Sequence, residues 1–288
     1  GIRDAQESRG LGDVYKRQII IDSRGNEIFN NFKSKDIFDI KKLCDRQFGI
    51  GGDGVIFIKE SDGNNFAKMI IYNSDGSEAQ MCGNGIRCLV EYIHRSNKET
   101  INSSEYRIET KAGLKIAQYN DGEITVKMGK PILDTNQIPT TIDTKHNHLP
   151  SYLFKESNFE QQGYAVGMGN PHLIFFIKDI NKISLSLLGP IFENNKLFPE
   201  KTNVHFSQII DRDNIKVRVW ERGAGPTLAC GTGACAVHVA AFKLGLCNSE
   251  TTINLPGGNL KIKWSRLDDE ILMTGYAKKV FSGKYFLK

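Results

Sequence analysis

The chain has 288 residues, 40% hydrophobic and 25% charged, with a formal net charge of +5, which leaves room for about two domains with an apolar core each. Basic and acidic residues are interspersed rather than blocked, which argues against a nucleic-acid binder, and no apolar run approaches the roughly 20 residues that span a bilayer. Six cysteines, at positions 44, 82, 88, 230, 235 and 247, sit in a long chain with no apolar leader and no C-x-x-C spacing. They read as reduced thiols of a cytoplasmic protein rather than as a disulfide framework or a zinc site.

In chain order, residues 1–18 are polar and aperiodic and give way abruptly to Ile19-Ile20-Ile21; they read as a non-native lead-in outside the fold. Residues 36–47 are a helix candidate. Strand-like runs follow at Val55–Ile58, Lys68–Tyr72, Tyr106–Thr110, Leu114–Ala117 and Ile124–Met128, with Gly-containing turns at 111–113 and 120–122 marking hairpins. The same style returns at Leu173–Ile177, Ile215–Trp220, Thr252–Leu255, Leu260–Trp264 and Ile271–Thr274. Two further helices begin at glycine-flanked cysteines. After Cys82, the apolar residues Ile86, Leu89, Val90 and Ile93 share one face. After Cys230 the chain is apolar nearly all round, as in a buried helix, and Gly245 is a plausible stop. The run Gly49–Gly54 fits G-x-G-x-x-G, but a helix precedes it and a strand follows, the reverse of the dinucleotide-binding order; no nicotinamide cofactor is expected.

The two cysteine segments form an internal repeat. Cys82 and Cys230 are 148 residues apart, as are Tyr72 and Trp220, and at that offset Gly83 and Gly85 fall on Gly231 and Gly233. Gly76 falls on Ala224, one short of Gly225, so the match loosens outside the core motif. Each copy reads as strand, Gly-containing loop, C-G-x-G, helix. A helix N-terminus offers unpaired N–H groups and positive dipole character. It favours thiolates and binds carboxylates, and glycines there admit a close ligand. Two such ends serving one substrate would hold its carboxylate and put a sulfur on each face of its α-carbon, as stereoinversion by proton transfer requires. A single free cysteine is commonly a small buried hydrophobe, the reading given to Cys44, Cys88, Cys235 and Cys247. The paired glycine context separates Cys82 and Cys230 from them.

The segments DRQFGIGGD (45–53), NSDGSEAQMCGNG (73–85), GNPH (169–172) and ERGAGPTLACGTGA (221–234) together resemble diaminopimelate epimerases, from about residue 19 to the end. The related proline racemases share the two-cysteine plan but typically carry histidine where this chain has Asn84. The resemblance implies an α+β fold of two similar domains, each a curved, mostly antiparallel sheet or barrel around a central helix, with the active site in an interdomain cleft. It implies a first domain of 19–130 plus 276–288, the end resembling the family's closing strand at 280–283, and a second of 131–275. It implies interconversion of LL- and meso-diaminopimelate, toward lysine and peptidoglycan, with no cofactor, no pyridoxal phosphate and no metal. Cys82 and Cys230 would be the acid/base pair, with His172 and Glu221 polarising or orienting the thiols. Asn73, Asn170, Asn203 and Arg222 would hold the substrate, and the backbone at Gly83, Asn84, Gly231 and Thr232 its reacting carboxylate. The partner would be a small amino acid, with neither nucleic acid nor membrane, and a homodimer stays open. Three departures stand out: the asparagine of the family's opening G-x-G-N-D-F-like loop is absent, Gly54 stands where some members carry glutamine, and Pro226 where glutamate is common. A regulatory dithiol and a non-catalytic binding module are the readings from other functional classes.

Overall fold

The computed structural model describes residues 5–7, 17–25, 29, 38–63, 65–79, 82–96, 104–146, 149–156 and 158–285. The 10–13 stretch of the opening segment, residues 36–37 of the first helix candidate, and Gln80 and Met81 of the first cysteine motif lie outside them. Two compact units emerge, one of Gly1–Lys127 with Thr274–Lys288 and one of Met128–Met273. The breaks fall at 127/128 and 273/274, where the sequence reading had 130/131 and 275/276.

In the first unit, β1 (Ala5–Glu7) pairs antiparallel with β2 (Arg17–Asp22). β2 runs parallel to β3 (Gly54–Lys59), and α1 (Phe38–Cys44) lies in the crossover between them. β3 is antiparallel to β4 (Ala67–Asn73), which turns into the two-residue β5 (Glu78–Ala79). The helix α2 (Gly83–Ser96) then carries the chain to β6 (Glu105–Thr110), parallel to β4. The hairpins β6–β7 (Gly113–Asn120) and β7–β8 (Glu123–Gly129) follow. Parallel neighbours need long crossovers, and α1 and α2 supply them. The segment set aside as a lead-in therefore contributes β1 and the start of β2 to the sheet, and β1 also pairs with a strand from the chain's end.

The second unit repeats this order. β9 (Thr144–His146) and β10 (Leu149–Glu156) lead into β11 (Phe159–Gly167), antiparallel to β12 (Pro171–Phe176). β12 is parallel to β13 (Asn203–Ile209), with α3 (Leu185–Glu193) in the crossover. β13 is antiparallel to β14 (Asn214–Glu221), which turns into β15 (Gly225–Thr227). The helix α4 (Gly231–Lys243) leads to β16 (Glu250–Leu255), parallel to β14, and the hairpin to β17 (Gly258–Trp264) follows. The chain passes back to the first unit within β18 (Ile271–Tyr276) and ends on β19 (Lys279–Phe281), the strand that β1 meets. α2 packs on β2, β3, β4 and β7, and α4 on β11, β12, β13, β16 and β17, so each unit is a mixed sheet curved around one helix. The sheets hold more parallel pairing than expected, at β2–β3, β4–β6, β12–β13 and β14–β16, because each repeat contains two helical crossovers.

The cores differ in character. Ile19, Ile21, Ile40, Leu43 and Val55, with the edge-to-face pair Phe29 and Phe57, form a mainly aliphatic cluster. The second unit gathers Phe154, Phe159, Phe175, Phe192 and Phe206, with Phe175 centred 4.8 to 5.4 Å from the other four rings. A side chain at Gly163 would strike Phe154 and Phe175 at 2.7 and 2.8 Å, so that strand position is kept bare for the rings. Each buried ring contributes roughly 1.5–3 kcal/mol. α4 is buried from Gly233 to Ala241, as its composition predicted. α2 departs from the amphipathic reading: Arg87 and Glu91, on its nominally wet face, are each 1% exposed. Arg87 donates to Asn84 Oδ1 at 3.0 Å and Glu91 accepts from Arg95, the pairing that buried charge demands.

Of the longer strands, β10, β11 and β13 were not read from the sequence, since their Ser, Gln, His and Gly interrupt any apolar run; the short β1, β5, β9 and β15 were not read either. α3 was not read from the sequence; it contains Gly189 and Pro190, both poor helix formers. Gly189 is a contact point, where a Cβ would lie 2.4 Å from the Trp220 ring, and Pro190 sits inside the helix.

Two expectations follow. Gln18 on β2 is 3% exposed and its Oε1 has no hydrogen-bond partner; an orphaned buried acceptor costs about 1–3 kcal/mol. Gln18→Leu is therefore expected to raise the denaturation midpoint in urea, and a fall would contradict this account of the strand. Separately, burial holds His205 down at about 3 and His238 at about 4, against an ordinary value of 6.5. Unfolded imidazoles take up protons from about pH 6.5 downward, whereas these native ones do not. The stabilisation is thus complete above that pH and lost as pH falls toward 4 and then 3. The urea midpoint should decline steadily through that window; a flat profile would show that these rings are not buried as neutral imidazoles.

Candidate active site

The two cysteine segments are equivalent in backbone register as well as in sequence. Tyr72 pairs with Glu78 and Ile71 with Ala79 in β4–β5; Trp220 pairs with Pro226 and Val219 with Thr227 in β14–β15. Every one of these pairs is related by the 148-residue offset, so the repeat holds through the hairpin where the residue match loosens. The tight turns agree too. Gly76 donates to the Asn73 carbonyl at 2.9 Å, and Ala224 to the Glu221 carbonyl at 3.1 Å, which makes Asn73 and Glu221 counterparts.

Beyond each hairpin the cysteine caps a helix. The Cys82 and Cys230 carbonyls accept the first helical bonds, from Ile86 at 3.0 Å and Ala234 at 2.9 Å. Each sulfur accepts the N–H three residues on, Gly85 to Cys82 Sγ and Gly233 to Cys230 Sγ, both at 3.4 Å. Thr232 Oγ1 stands 3.5 Å from the Cys230 sulfur. Cys82 is half-buried and Cys230 is 4% exposed. The cap uses the third N–H of each helix. The first two, on Gly83 and Asn84 and on Gly231 and Thr232, have no intrahelical carbonyl to meet and lie at the positive end of each dipole, where an anion is favoured.

A polar web surrounds Cys230's hairpin in the second unit. His172 on β12 is fully buried; its Nε2 lies 2.9 Å from Asn170 Oδ1 and its Nδ1 2.9 Å from His205 Nε2 on β13. Burial first, and then unfavourable electrostatic interactions with His205 and Arg222, hold His172 well below the usual imidazole range, so it is neutral. Asn203 bridges two segments: its Nδ2 donates to the Pro171 carbonyl at 2.9 Å and its Oδ1 accepts from the Arg222 backbone at 3.1 Å. Arg222 is exposed and its Nη1 donates to the Glu200 carbonyl at 2.8 Å. Glu221 Oε1 accepts from Thr227 Oγ1 at 2.6 Å. The structure thus brings Asn170 and His172, and Asn203 and Arg222, together as two hydrogen-bonded pairs joined through the Pro171 carbonyl, with Glu221 next to Arg222 in the chain. Asn73 belongs to the first unit with Cys82, Gly83 and Asn84; it is exposed and donates to Ser77 Oγ at 3.0 Å.

Two residues of this web escaped sequence reasoning. Glu193, at the end of α3 and 7% exposed, accepts from Trp220 Nε1 at 2.7 Å and from the Gly223 backbone at 2.9 Å, clamping the turn that carries Glu221 and Arg222. His205 lies in the missed strand β13. The internal repeat was the available signal, since α1 between β2 and β3 implies a helix at the matching place between β12 and β13.

The other cysteines have structural surroundings. Burial pushes the Cys88 thiol up to about 12 and the Cys44 thiol to about 11, and raises Cys247; Cys235 is wholly buried in α4. The 49–54 glycine run closes the C-terminus of α1. Ile50 and Gly51 donate to the Leu43 carbonyl at 2.9 and 3.0 Å, and Gly52 to Cys44 at 3.1 Å. Its N–H groups are engaged in capping a helix end rather than cradling a phosphate.

The family model described as diaminopimelate epimerase matches residues 20–133 and 164–280. A diaminopimelate epimerase of Prochlorococcus marinus (strain NATL2A) is 48% identical over 279 residues, 96% of each chain. One of Rippkaea orientalis (strain PCC 8801 / RF-1) is 45% identical over 281 residues, 97% of each, shares that reach into the first 18 residues. Among solved structures, a probable proline racemase from Agrobacterium radiobacter K84 superposes with a TM-score of 0.67 at 13% identity, over 99% of this chain and 93% of that one, a likeness of fold. Two cysteine-capped helices on repeated hairpins, the matched family model and relatives alike over nearly their whole length lead to one assignment: the chain belongs to the diaminopimelate epimerase family.

Proposed function

We propose that this enzyme interconverts LL- and meso-2,6-diaminopimelate by a two-base, cofactor-independent proton transfer in which Cys82 and Cys230 are the acid/base pair. The observation that carries this reading is the identical seat of the two sulfurs, each capped by the third helical N–H at 3.4 Å. Inversion at one α-carbon needs a base on one face and an acid on the other. A thiolate takes the α-proton and becomes a thiol; the electron pair left behind spreads from the α-carbon into the carboxylate as an enediolate. The opposite thiol delivers its proton to the other face and becomes the thiolate. Atoms and charge balance, and the reverse reaction exchanges the two roles.

The remaining residues make these steps feasible at ordinary pH. The free N–H groups at Gly83, Asn84, Gly231 and Thr232 stabilise the charge that grows on the carboxylate, where fixed dipoles need no reorganisation. Neutral His172 orients Asn170 through its Nε2 without adding a positive charge that would pin a thiolate. Glu221, held by Thr227 Oγ1, orients the thiol in its own hairpin. Arg222, with Asn73, Asn170 and Asn203, recognises the non-reacting amino-acid end; a guanidinium suits a distal carboxylate because it can grip both oxygens. The enzyme would act in the cytoplasm, where its free thiols stay reduced, on the route to lysine and peptidoglycan.

Chiral chromatography of purified enzyme with LL-diaminopimelate, under reducing conditions and without added cofactor, tests this directly. Formation of the meso isomer is expected, with Cys82→Ala and Cys230→Ala each reducing turnover by roughly 10²–10⁴-fold, the scale of general acid–base catalysis. Inversion of proline in place of diaminopimelate would redirect the reading to the racemases, and retained turnover in either cysteine variant would end it. Arg222→Ala should act on binding, raising KM about ten- to a hundred-fold through loss of a charge-assisted hydrogen-bonded pair, with a smaller change in kcat. An unchanged KM would remove Arg222 from the substrate site.

A further inference from the structure

The two units correspond residue by residue through their strand pairings, and they differ in kind at the position beneath the capping glycine. In the first unit Ile20 on β2 pairs with Ile56 on β3, which pairs with Ile71 on β4. In the second, Ile174 on β12 pairs with His205 on β13, which pairs with Val219 on β14. His205 therefore stands where the first unit has Ile56. By the same pairings His172, opposite Asn203, stands where the first unit has Gln18, opposite Gly54.

Both residues at the Ile56/His205 position lie beneath the glycine at the third position of the cysteine-capped helix. A Cβ at Gly85 would come within 3.0 Å of Ile56 Cδ1; one at Gly233 would come within 2.2 Å of His205 Cε1 and 2.9 Å of its Nε2. That glycine is the one whose N–H caps the sulfur. An aliphatic side chain is sufficient for this packing, as the first unit demonstrates. The second unit places there an imidazole that is wholly buried, with its Nε2 on His172 and its Nδ1 without any hydrogen-bond partner. Leaving a buried ring nitrogen unsatisfied costs about 1–3 kcal/mol relative to a residue with no polar atom, so packing alone does not account for the histidine.

The hydrogen-bond directions follow from the chain of partners. Asn170 Oδ1 can only accept, so His172 carries its proton on Nε2. His172 is neutral, so its Nδ1 is a bare acceptor, and His205 must donate from Nε2. The bare, unpartnered Nδ1 of His205 agrees with that tautomer. We propose that His205 is a positioning residue for the reaction at Cys230, fixing the His172 proton on Nε2 while its ring seats Gly233, the residue that caps the Cys230 sulfur. One imidazole thereby ties the tautomer of His172 to the placement of the thiol. The asymmetry has a counterpart in the first unit, where Ile56 offers no donor and the Gln18 oxygen at the His172 position is left unpaired.

The catalytic consequence rests on the two-base reading, but the structural claim is tested without substrate. Enzyme with ¹⁵N-labelled histidine is compared as wild type, His205→Ile, His205→Gln and Gly233→Ala by two-bond ¹H–¹⁵N correlation of the imidazole rings. His205→Ile copies the first unit and is sized to pack; His205→Gln returns an N–H donor near the Nε2 position. Expected are His172 and His205 both as Nε2–H tautomers in the wild type. His172 should lose that single-tautomer pattern in His205→Ile, and also in Gly233→Ala, where the added methyl displaces the ring; it should recover the pattern in His205→Gln. Kinetics should show kcat about five- to ten-fold lower in His205→Ile with KM within about two-fold, and partial recovery in His205→Gln, the scale of one hydrogen bond. A wild-type His172 protonated on Nδ1, or a His172 pattern indifferent to both His205→Ile and Gly233→Ala, would overturn the proposal. If the enzyme fails to turn over diaminopimelate, the kinetic arm judges the functional reading, while the resonance arm still judges His205.

Discussion

The geometry of each unit turns on a sulfur accepting the third N–H of a helix. That contact places the thiol at the positive end of the dipole and leaves the first two N–H groups of the helix without an intrahelical partner. It also dictates the glycines. The capping N–H belongs to a residue pressed against the sheet, on Ile56 in one unit and His205 in the other, so no side chain fits there. The hairpin just ahead of the cysteine must hand the chain over in one register, and β4–β5 and β14–β15 do so with the same residue pairing 148 positions apart. Sequence, turn and cap thus form one unit of construction, used twice.

Around that shared frame the units diverge. The first supports its helix with aliphatic packing and a buried Arg87–Asn84 contact. The second surrounds its hairpin with polar groups that satisfy one another: Glu193 holds Trp220 and Gly223, Asn203 holds Pro171 and Arg222, and His205 holds His172. Burial in a low-dielectric interior keeps both imidazoles neutral, so the web orients groups without neutralising a thiolate. A fold made of two copies can in this way carry chemically different surroundings for two similar thiols.

Much of this was legible in the sequence, for identifiable reasons. Ile19–Ile21 and Val55–Ile58 are buried on both faces in parallel pairing, and such strands advertise themselves as unbroken apolar runs. C-G-x-G at a fixed offset announced both the repeat and the two thiols. The Gly49–Gly54 run was correctly separated from a nucleotide loop by what flanks it. Illegible were elements whose local signals oppose their tertiary role. Gly189 and Pro190 are poor helix formers, yet α3 contains both, with Gly189 against the Trp220 ring. The polar residues of β13, among them Asn203 and His205, hid it as a strand, and they belong to the hydrogen-bonded web beside the Cys230 hairpin. The burial of Arg87 and Glu91 contradicts a periodicity that put them in water, because a helix ringed by its own sheet has no wet side. The first 18 residues lack periodicity, but β1 and the start of β2 are held by backbone pairing, which no side-chain pattern reports.

The central claim is that two thiols, not one, handle the α-proton. The most direct measurement is the place of deuterium during early turnover in D2O, by mass spectrometry of separated isomers. With two bases, the abstracting sulfur holds the substrate's own proton while the other delivers one drawn from solvent. The account predicts deuterium in newly formed meso-diaminopimelate from the first turnovers, with recovered LL-substrate still protonated. Equal deuterium in recovered substrate and product from the outset would contradict it and point to a single base exchanging on one face.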